Sequence, residues 1–179
     1  VIDGNGNACS FINSLYEAFG TGLVVPDTGI VLQNWGALFS TDPEHPNFLE
    51  PAKRPYNTII PGMITRNSNL VSSFGVMGGF QQPQGHLQVV SNMVDFGMNP
   101  QEALDSARFR ISIEDETVFA EDCFDQEVIS GLKSKGHSVS VISGVNRVFF
   151  GGGQIINRNG EGMLSGGSDS RKDGLSVSY

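Results

Sequence analysis

Two adjacent glycines, Gly78 and Gly79, stand between an apolar run and a proline in the stretch GVMGGFQQPQGH, residues 75–86. A loop of this composition can turn several backbone N–H groups toward one point, and a helix that follows adds positive potential there. It could hold a phosphate, stabilise an oxyanion during acyl transfer, or allow two segments to pack closely. The glycines alone favour close packing, and the other two uses stay open.

No other residues supply a complete catalytic or nucleotide-binding motif. The sequence contains neither GxGxxG nor GxxxxGK[ST], so the phosphate interpretation has little support. The triple glycine Gly151–Gly153 precedes no predicted helix and is less typical of a phosphate site still. There is no GxSxG, and we interpret His86 as a structural histidine and the carboxylates 114–116 as a solvated turn. A nucleophile is not visible in the sequence.

Composition excludes several classes of function. The 179 residues carry a formal net charge of −8 with only 11 Lys plus Arg, which argues against a nucleic-acid partner. No apolar stretch reaches the length of a membrane span, so we expect no membrane partner. The three histidines and two cysteines are scattered, so we expect no metal and no cofactor. The length predicts a single domain over residues 1–179.

The glycine loop is predicted to connect a hairpin to a helix. Apolar residues on both sides of the turn 66–69 predict antiparallel strands at 59–65 and 70–76. Pro83 stands where a first helical residue is favoured, and apolar residues recur at helical spacing from Leu87 to Val94. We therefore expect a strand to end just before Gly78 and a helix to begin just after Gly79.

The remaining elements complete a layered α+β domain. Asn99, followed by proline and glutamate, predicts a capped helix that ends near Arg108. The same kinds of pattern predict strands at 8–15, 23–25, 29–32, 117–120, 138–142, 147–150, 154–157 and 163–165, a helix at 125–136, and a long loop at 40–55. The chain opens on Val1 and turns at once through residues 4–7, so we expect the first half of its strand to precede Val1.

A series of strings in a fixed order then identifies a family resemblance. They are DGNGNACS at 3–10, FGTG at 19–22, GIVLQN at 29–34, KRP at 53–55, GVMGG and QPQGH within 75–86, MNPQEALDSARFR at 98–110, and GGSDSRKDG at 166–174. Together they resemble the small, C-terminal subunit of the γ-glutamyltransferase family over essentially the whole chain. QPQGH and the strings HPN and KRPYNTIIPGM within 45–63 are similar to its acylase branch, which includes relatives of oxamate amidohydrolase and some cephalosporin acylases.

The resemblance implies an N-terminal-nucleophile hydrolase with a four-layer αββα sandwich, of which this chain would contribute part. In such proteins the precursor cuts itself before a threonine, whose hydroxyl attacks the amide while its own α-amine acts as base. Matching Asp3 to the family pattern puts this threonine about five residues before Val1. The family's second hydroxyl falls on Ser14, and its oxyanion-hole glycines fall on Gly78 and Gly79.

The residues that would bind substrate depart from the family pattern. Where the family has N-N-x-M-D-D-F, this chain has residues 33–39, which retain Asn34, introduce Trp35 and replace the ammonium-binding aspartate by Leu38. An asparagine two residues past the second hydroxyl is Tyr16 here. The two serines with which the family binds the α-carboxylate are replaced here by Asn57 and Thr58, whose side chains can still donate hydrogen bonds. The catalytic positions therefore match better than the glutamyl-specific ones.

We thus predict an amide hydrolase or acyl transferase acting on γ-glutamyl compounds such as glutathione. The alternatives are an acylase for another small carboxylated amide, of oxamate or glutaryl type, and an inactive family member. A nucleotide-binding module is disfavoured by the missing lysine motif and the acidic balance. The resemblance implies the large, N-terminal subunit of the same precursor as partner and a small-molecule amide as substrate. The cysteines and the branch resembled suggest a cytoplasmic location.

Overall fold

The computed structural model describes residues 1–179, whose internal contacts divide into two units. Unit 1 comprises Val1–Phe11 and Pro61–Tyr179, and unit 2 comprises Ile12–Ile60. The single domain expected from length stays a prediction. None of the helices has the length and apolar character needed to cross a membrane.

Unit 1 contains all the regular strands and α-helices. In chain order these are β1 (Gly62–Arg66), β2 (Asn69–Met77), α1 (Gln82–Val94), α2 (Pro100–Asp105), β3 (Phe109–Ile111), β4 (Val118–Glu121), α3 (Gln126–Ser134), β5 (Val139–Ile142), β6 (Gly152–Arg158) and β7 (Leu164–Ser168). Short 3-10 helices lie at Gly79–Gln81 and Gly144–Phe150.

The larger sheet has the order β1-β2-β6-β7 and is antiparallel throughout. The predicted hairpin is confirmed and turns at 67–68, and β6 and β7 form a second hairpin that turns at 159–163. The long central strand β2 pairs Phe74 with Gly62 on one side and with Ile155 on the other. Pairing on both sides at Phe74 fixes the position of β2, which ends directly before Gly78.

Helices α1 and α2 cover one face of this sheet and form the main core with it. The buried members of that core are Phe74, Val76, Val89, Leu104 and Ile155. Helix α1 begins as predicted around Pro83, but only part of the predicted apolar stripe is buried: Val90 and Met93 pack against the core, whereas Leu87 and Val94 are 68% and 63% exposed. The most buried row follows Gly85 and Val89, because Gly85 lets the helix approach β2 closely: a Cβ there would lie 2.9 Å from Val76 Cγ1.

The smaller sheet has the order β3-β4-β5, with β4 and β5 parallel and connected through α3. Helix α2 has the predicted capping box: the Asn99 side chain accepts from the Gln101 and Glu102 N–H groups. It ends at Asp105, before the predicted Arg108, because Ser106 leaves the helical region. Asp125 precedes α3 without capping it through its side chain.

Four predicted strands are wrong: 8–15, 23–25, 29–32 and 147–150. The segment 147–150 belongs to the 3-10 helix Gly144–Phe150, which buries Phe150 and delivers the chain to Gly151 at φ +78°. The segment 8–15 has only a single bridge, from Ala8 to Ile2. Strand β3 was not predicted, since its three residues are too few for a periodic signal.

Unit 2 is held mainly by turns. It contains one 3-10 helix, Trp35–Leu38, and the segments predicted as strands at 23–25 and 29–32 form one antiparallel bridge, Val24 to Val31. The predicted loop at 40–55 is confirmed, with a single parallel bridge from Ser40 to Phe48. Backbone–backbone and side chain-to-backbone hydrogen bonds contribute to these turns in about equal measure.

Candidate active site

Gly78 and Gly79 form the turn between β2 and the helices that follow, as predicted. Both have positive φ, +142° and +58°, which side chains rarely adopt. Neither backbone N–H donates a hydrogen bond within the chain, whereas the N–H of Gln81 donates to the Gly78 carbonyl at 3.1 Å. Two adjacent backbone donors without acceptors are what binding of an anion requires.

The strand and helix on either side of this turn are tied together by side chains. His86 Nε2, on α1, accepts the Val76 N–H at 3.0 Å, beyond the point where β1 can pair with β2. Burial lowers the pKa of His86, which favours the neutral imidazole that this bond needs. Gln81 is buried and donates to the Phe109 carbonyl at 3.1 Å. His86 thus has the structural role expected from the sequence.

A buried ionic cluster lies next to the start of β6, and no sequence pattern predicted it. Arg108, Glu121, Asp169 and Arg171 are all buried. Arg108 pairs with Asp169 at 2.6 Å, and Arg171 pairs with both Asp169 and Glu121. Burial by itself would raise the pKa of Glu121, but hydrogen bonds from Arg171, from Arg147 and from the Arg108 N–H hold that pKa below its usual value. Charged residues inside the strings at 98–110 and 166–174 were the available signal.

The cluster is connected to the start of β6. Asp169 Oδ2 accepts the Gly153 N–H at 2.8 Å, and the Asp169 N–H donates back to the Gly153 carbonyl at 3.1 Å. Arg108 also donates to the Phe150 carbonyl at 3.4 Å. The triple glycine is therefore held by buried side chains at both of its ends.

The other predicted site residues lie in unit 2. The Ser14 oxygen accepts the Tyr16 N–H at 3.0 Å, which leaves the hydroxyl proton available for another partner. Tyr16 takes φ +76°, and its ring lies 5.7 Å from that of Trp35. Trp35 is only 7% exposed, so its indole packs against Tyr16 and does not line an open surface.

Asn34 and Leu38 are half-buried at the two ends of the 3-10 helix. Asn34 Oδ1 accepts the Glu17 N–H at 3.0 Å, and the Asn34 N–H donates to the Leu15 carbonyl at 3.1 Å. These bonds bring the segment that carries Ser14 and Tyr16 next to the one that carries Leu38.

Asn57 and Thr58 are connected to Leu38 through Asn47, which the sequence analysis did not single out. Asn47 Nδ2 donates to the Leu38 carbonyl at 2.6 Å, and Asn47 Oδ1 accepts the Tyr56 N–H at 3.2 Å. Asn57 Oδ1 accepts the Ile59 N–H at 3.0 Å, and Thr58 is buried. The HPN string, which contains Asn47, was the signal for this connection.

Unit 2 therefore gathers seven of the predicted site residues, and unit 1 holds the two glycines. Within the chain, no three His, Cys, Asp or Glu side chains are grouped so that they could hold a metal ion.

Comparison with known proteins finds similar sequences along essentially the whole chain. The chain is 40% identical over 181 aligned residues to the glutathione hydrolase-like YwrD proenzyme of Bacillus subtilis, with 99% of the chain covered. It is 36% identical over its whole length to the oxamate amidohydrolase proenzyme of Klebsiella pneumoniae. It spans about a third of these relatives, 34% of each.

Solved structures give the same result. A cephalosporin acylase from Bacillus halodurans is 47% identical, with a TM-score of 0.87. The match covers 93% of the present chain and 31% of the acylase chain. A gamma-glutamyltranspeptidase from Pseudomonas nitroreducens, solved in complex with L-DON, is 27% identical, covers 100% of the chain and 97% of its own, and also has a TM-score of 0.87. The predicted α+β fold of the N-terminal-nucleophile hydrolase type is confirmed. The family description Gamma-glutamyltranspeptidase matches residues 1–179, and the chain belongs to that family.

Proposed function

We propose that residues 1–179 are the C-terminal catalytic part of an amide hydrolase or acyl transferase acting on γ-glutamyl or related carboxylated amides. The observation that carries the proposal is the pair of unpaired N–H groups at Gly78 and Gly79, at the end of a doubly paired strand. Such a pair stabilises the oxyanion of a tetrahedral intermediate, and losing one such donor costs an enzyme roughly 10²–10³ in kcat.

The proposal assigns the attacking hydroxyl to a threonine that precedes Val1 in the precursor. Its α-amine takes the proton as the hydroxyl adds to the amide carbon, and returns it to the departing amine. Ser14 is proposed to orient that hydroxyl, since its own oxygen accepts from the Tyr16 N–H and its proton is available to donate. Water then releases the acyl group, or an amine accepts it.

The substrate class follows from unit 2. Asn34, Asn57 and Thr58 offer polar groups suited to a substrate carboxylate or amide. Leu38 offers no charge, so an acyl group that carries a free α-ammonium gains no ion pair there. This favours acyl groups without the amine, of glutaryl or oxamate type, and the similarity to an oxamate amidohydrolase proenzyme supports the same alternative.

The proposed partner is the large subunit from the same precursor. Relatives named proenzymes, of which this chain spans about a third, support a precursor divided into two subunits. The cytoplasmic location expected from the sequence is part of the proposal.

The test uses the full-length protein. Mass spectrometry identifies the first residue of the small chain. Hydrolysis is followed as release of aniline from γ-glutamyl anilide and glutaryl anilide, and of ammonia from oxamate. We expect a small chain that begins with threonine and a covalent acyl adduct on that residue with at least one substrate. A protein that stays uncut and releases no amine, or whose small chain begins without Thr, Ser or Cys, overturns the proposal.

A further inference from the structure

We propose that Asp169 is a positioning residue for the Gly78–Gly79 N–H pair, and that it acts through the glycine strip Gly151–Gly153. The inference rests on the proposed function and identifies what holds its anion site in place. It also gives a role to the triple glycine, which has no ligand-binding motif around it.

The turn at Gly78 and the glycine strip Gly151–Gly153 are in direct contact. A Cβ on Gly78 would lie 3.0 Å from Gly151 Cα, and a Cβ on Gly151 would lie 2.0 Å from the Met77 carbonyl oxygen. Backbone therefore packs directly on backbone, and a side chain on either glycine would displace the other segment, at Gly151 in one case and at Met77 in the other. The position of Gly151 thus sets the position of the turn that presents the two N–H groups.

The register of β6 brings the strip to this position. Strand β6 begins at Gly152 and pairs Gly152 with Met77 and Gly153 with Val76. Any shift at the start of β6 is consequently passed to the last two residues of β2. The turn that follows these residues must shift with them.

Asp169 anchors the strip. Asp169 is 1% exposed, accepts the Gly153 N–H at 2.8 Å, and is neutralised by Arg108 at 2.6 Å and Arg171 at 3.1 Å. Arg108 in turn donates to the Phe150 carbonyl, one residue before the strip. The carboxylate and its cation therefore fix both ends of the strip, and Asp169 itself need not touch substrate.

The experiment compares full-length variants that disturb the strip with one that does not. Gly151→Ala places a methyl group against the Met77 carbonyl. Asp169→Asn removes the charge and weakens the anchor. The matched control is Gly162→Ala, at the far end of β6–β7: Gly162 has a similar φ of +86°, and its nearest neighbour would be the flexible Arg158 guanidinium at 3.6 Å. Gly151→Ala keeps the test available if Asp169→Asn does not fold.

Two measurements are made on each variant. The first is amide hydrogen exchange of the peptide that spans residues 74–81. We expect it to exchange about ten-fold faster in Gly151→Ala and Asp169→Asn and unchanged in Gly162→Ala, when each variant is measured the same number of degrees below its own melting temperature. The second measurement is of kcat and KM for amide hydrolysis. In Gly151→Ala and Asp169→Asn we expect kcat to fall about ten- to hundred-fold with KM nearly unchanged, and in Gly162→Ala we expect both to stay at the wild-type value. The double variant should lose less than the product of the two single losses, because both changes act through one path.

The outcomes separate the two proposals. Unchanged exchange at 74–81, or a kcat loss in Gly162→Ala equal to that in Gly151→Ala, overturns the positioning role. Faster exchange in a protein whose wild type cleaves no amide supports the positioning role and overturns the proposed function.

Discussion

The residues to which we assign chemistry differ in kind between the two units. In unit 1 the proposed chemistry is backbone: two N–H groups at the end of a strand paired on both sides and backed by buried ions. In unit 2 it is side chain: Ser14, Asn34 and Leu38 lie on turns held by individual side-chain hydrogen bonds. A backbone donor serves any acyl group, whereas side chains select among them. We therefore expect changes in unit 1 to alter rate or stability for every substrate, and changes in unit 2 to alter preference.

The largest expected effect is the loss of a buried charge in unit 1. Glu121→Gln leaves Arg147 without its carboxylate and Arg171 with Asp169 alone, and breaking a buried pair costs about 3–5 kcal/mol of unfolding free energy. Glu50→Gln in unit 2 breaks an exposed pair with Lys53 at 3.0 Å and should cost about 0–1 kcal/mol. Urea unfolding of the full-length protein measures both. Equal losses would show that the two units do not differ in this respect.

The next effect concerns the anion site itself. Gly78→Ala moves the turn, because its Cβ would press on Gly151, and kcat should fall about 10²–10³-fold for γ-glutamyl and glutaryl anilides alike. Gly22→Ala in unit 2 is the control, since Gly22 also has positive φ, +73°, but meets no atom within 4 Å. A loss that depends on the acyl group would contradict a backbone oxyanion site.

Leu38→Asp should act on preference. A carboxylate at this position can pair with a substrate α-ammonium, and one charge-assisted hydrogen bond is worth roughly 1.5–3 kcal/mol, or a ten- to hundred-fold change in kcat/KM. The ratio of γ-glutamyl to glutaryl anilide hydrolysis should rise by that factor. Ala37→Asp places the same charge on an exposed neighbour and should leave the ratio unchanged. An unchanged ratio in Leu38→Asp, or a wild type that already prefers γ-glutamyl a hundred-fold, refutes the assignment.

The smallest effect is that of pH, because one half-buried imidazole and one hydrogen bond are involved. Burial lowers the pKa of His86 in the folded protein below 6.5, so the unfolded chain takes up its proton first. The contribution of His86 to stability is complete above about pH 6.5 and is lost as the pH falls below that value. His86→Gln should flatten this part of the stability profile, because it removes the imidazole that accepts the Val76 N–H. A profile that His86→Gln leaves unchanged would contradict the role of the Val76 bond.

Local sequence patterns predicted the elements next to the glycine turn. The hairpin at 62–77, the start of α1 near Pro83 and the capping box of Asn99 follow from turn and cap chemistry that acts over a few residues. The strand at 147–150 was wrong because its apolar run is equally compatible with a short 3-10 helix. Only the burial of Phe150 against the rest of unit 1 decided between them.

Sequence by itself determined the family, the position of the two glycines and the loss of the carboxylate at Leu38, because these depend on residue identity and order. Tertiary structure alone decided that Asp169 reaches Gly153, that Gly151 packs on Gly78, and that Asn47 joins Leu38 to Tyr56. Those contacts join residues that hairpins, crossovers and turns bring together, and no local spacing encodes them. The same reason explains why the buried face of α1 was partly misplaced: a helix shows its apolar residues in the sequence, but the strand it packs against selects which of them are buried.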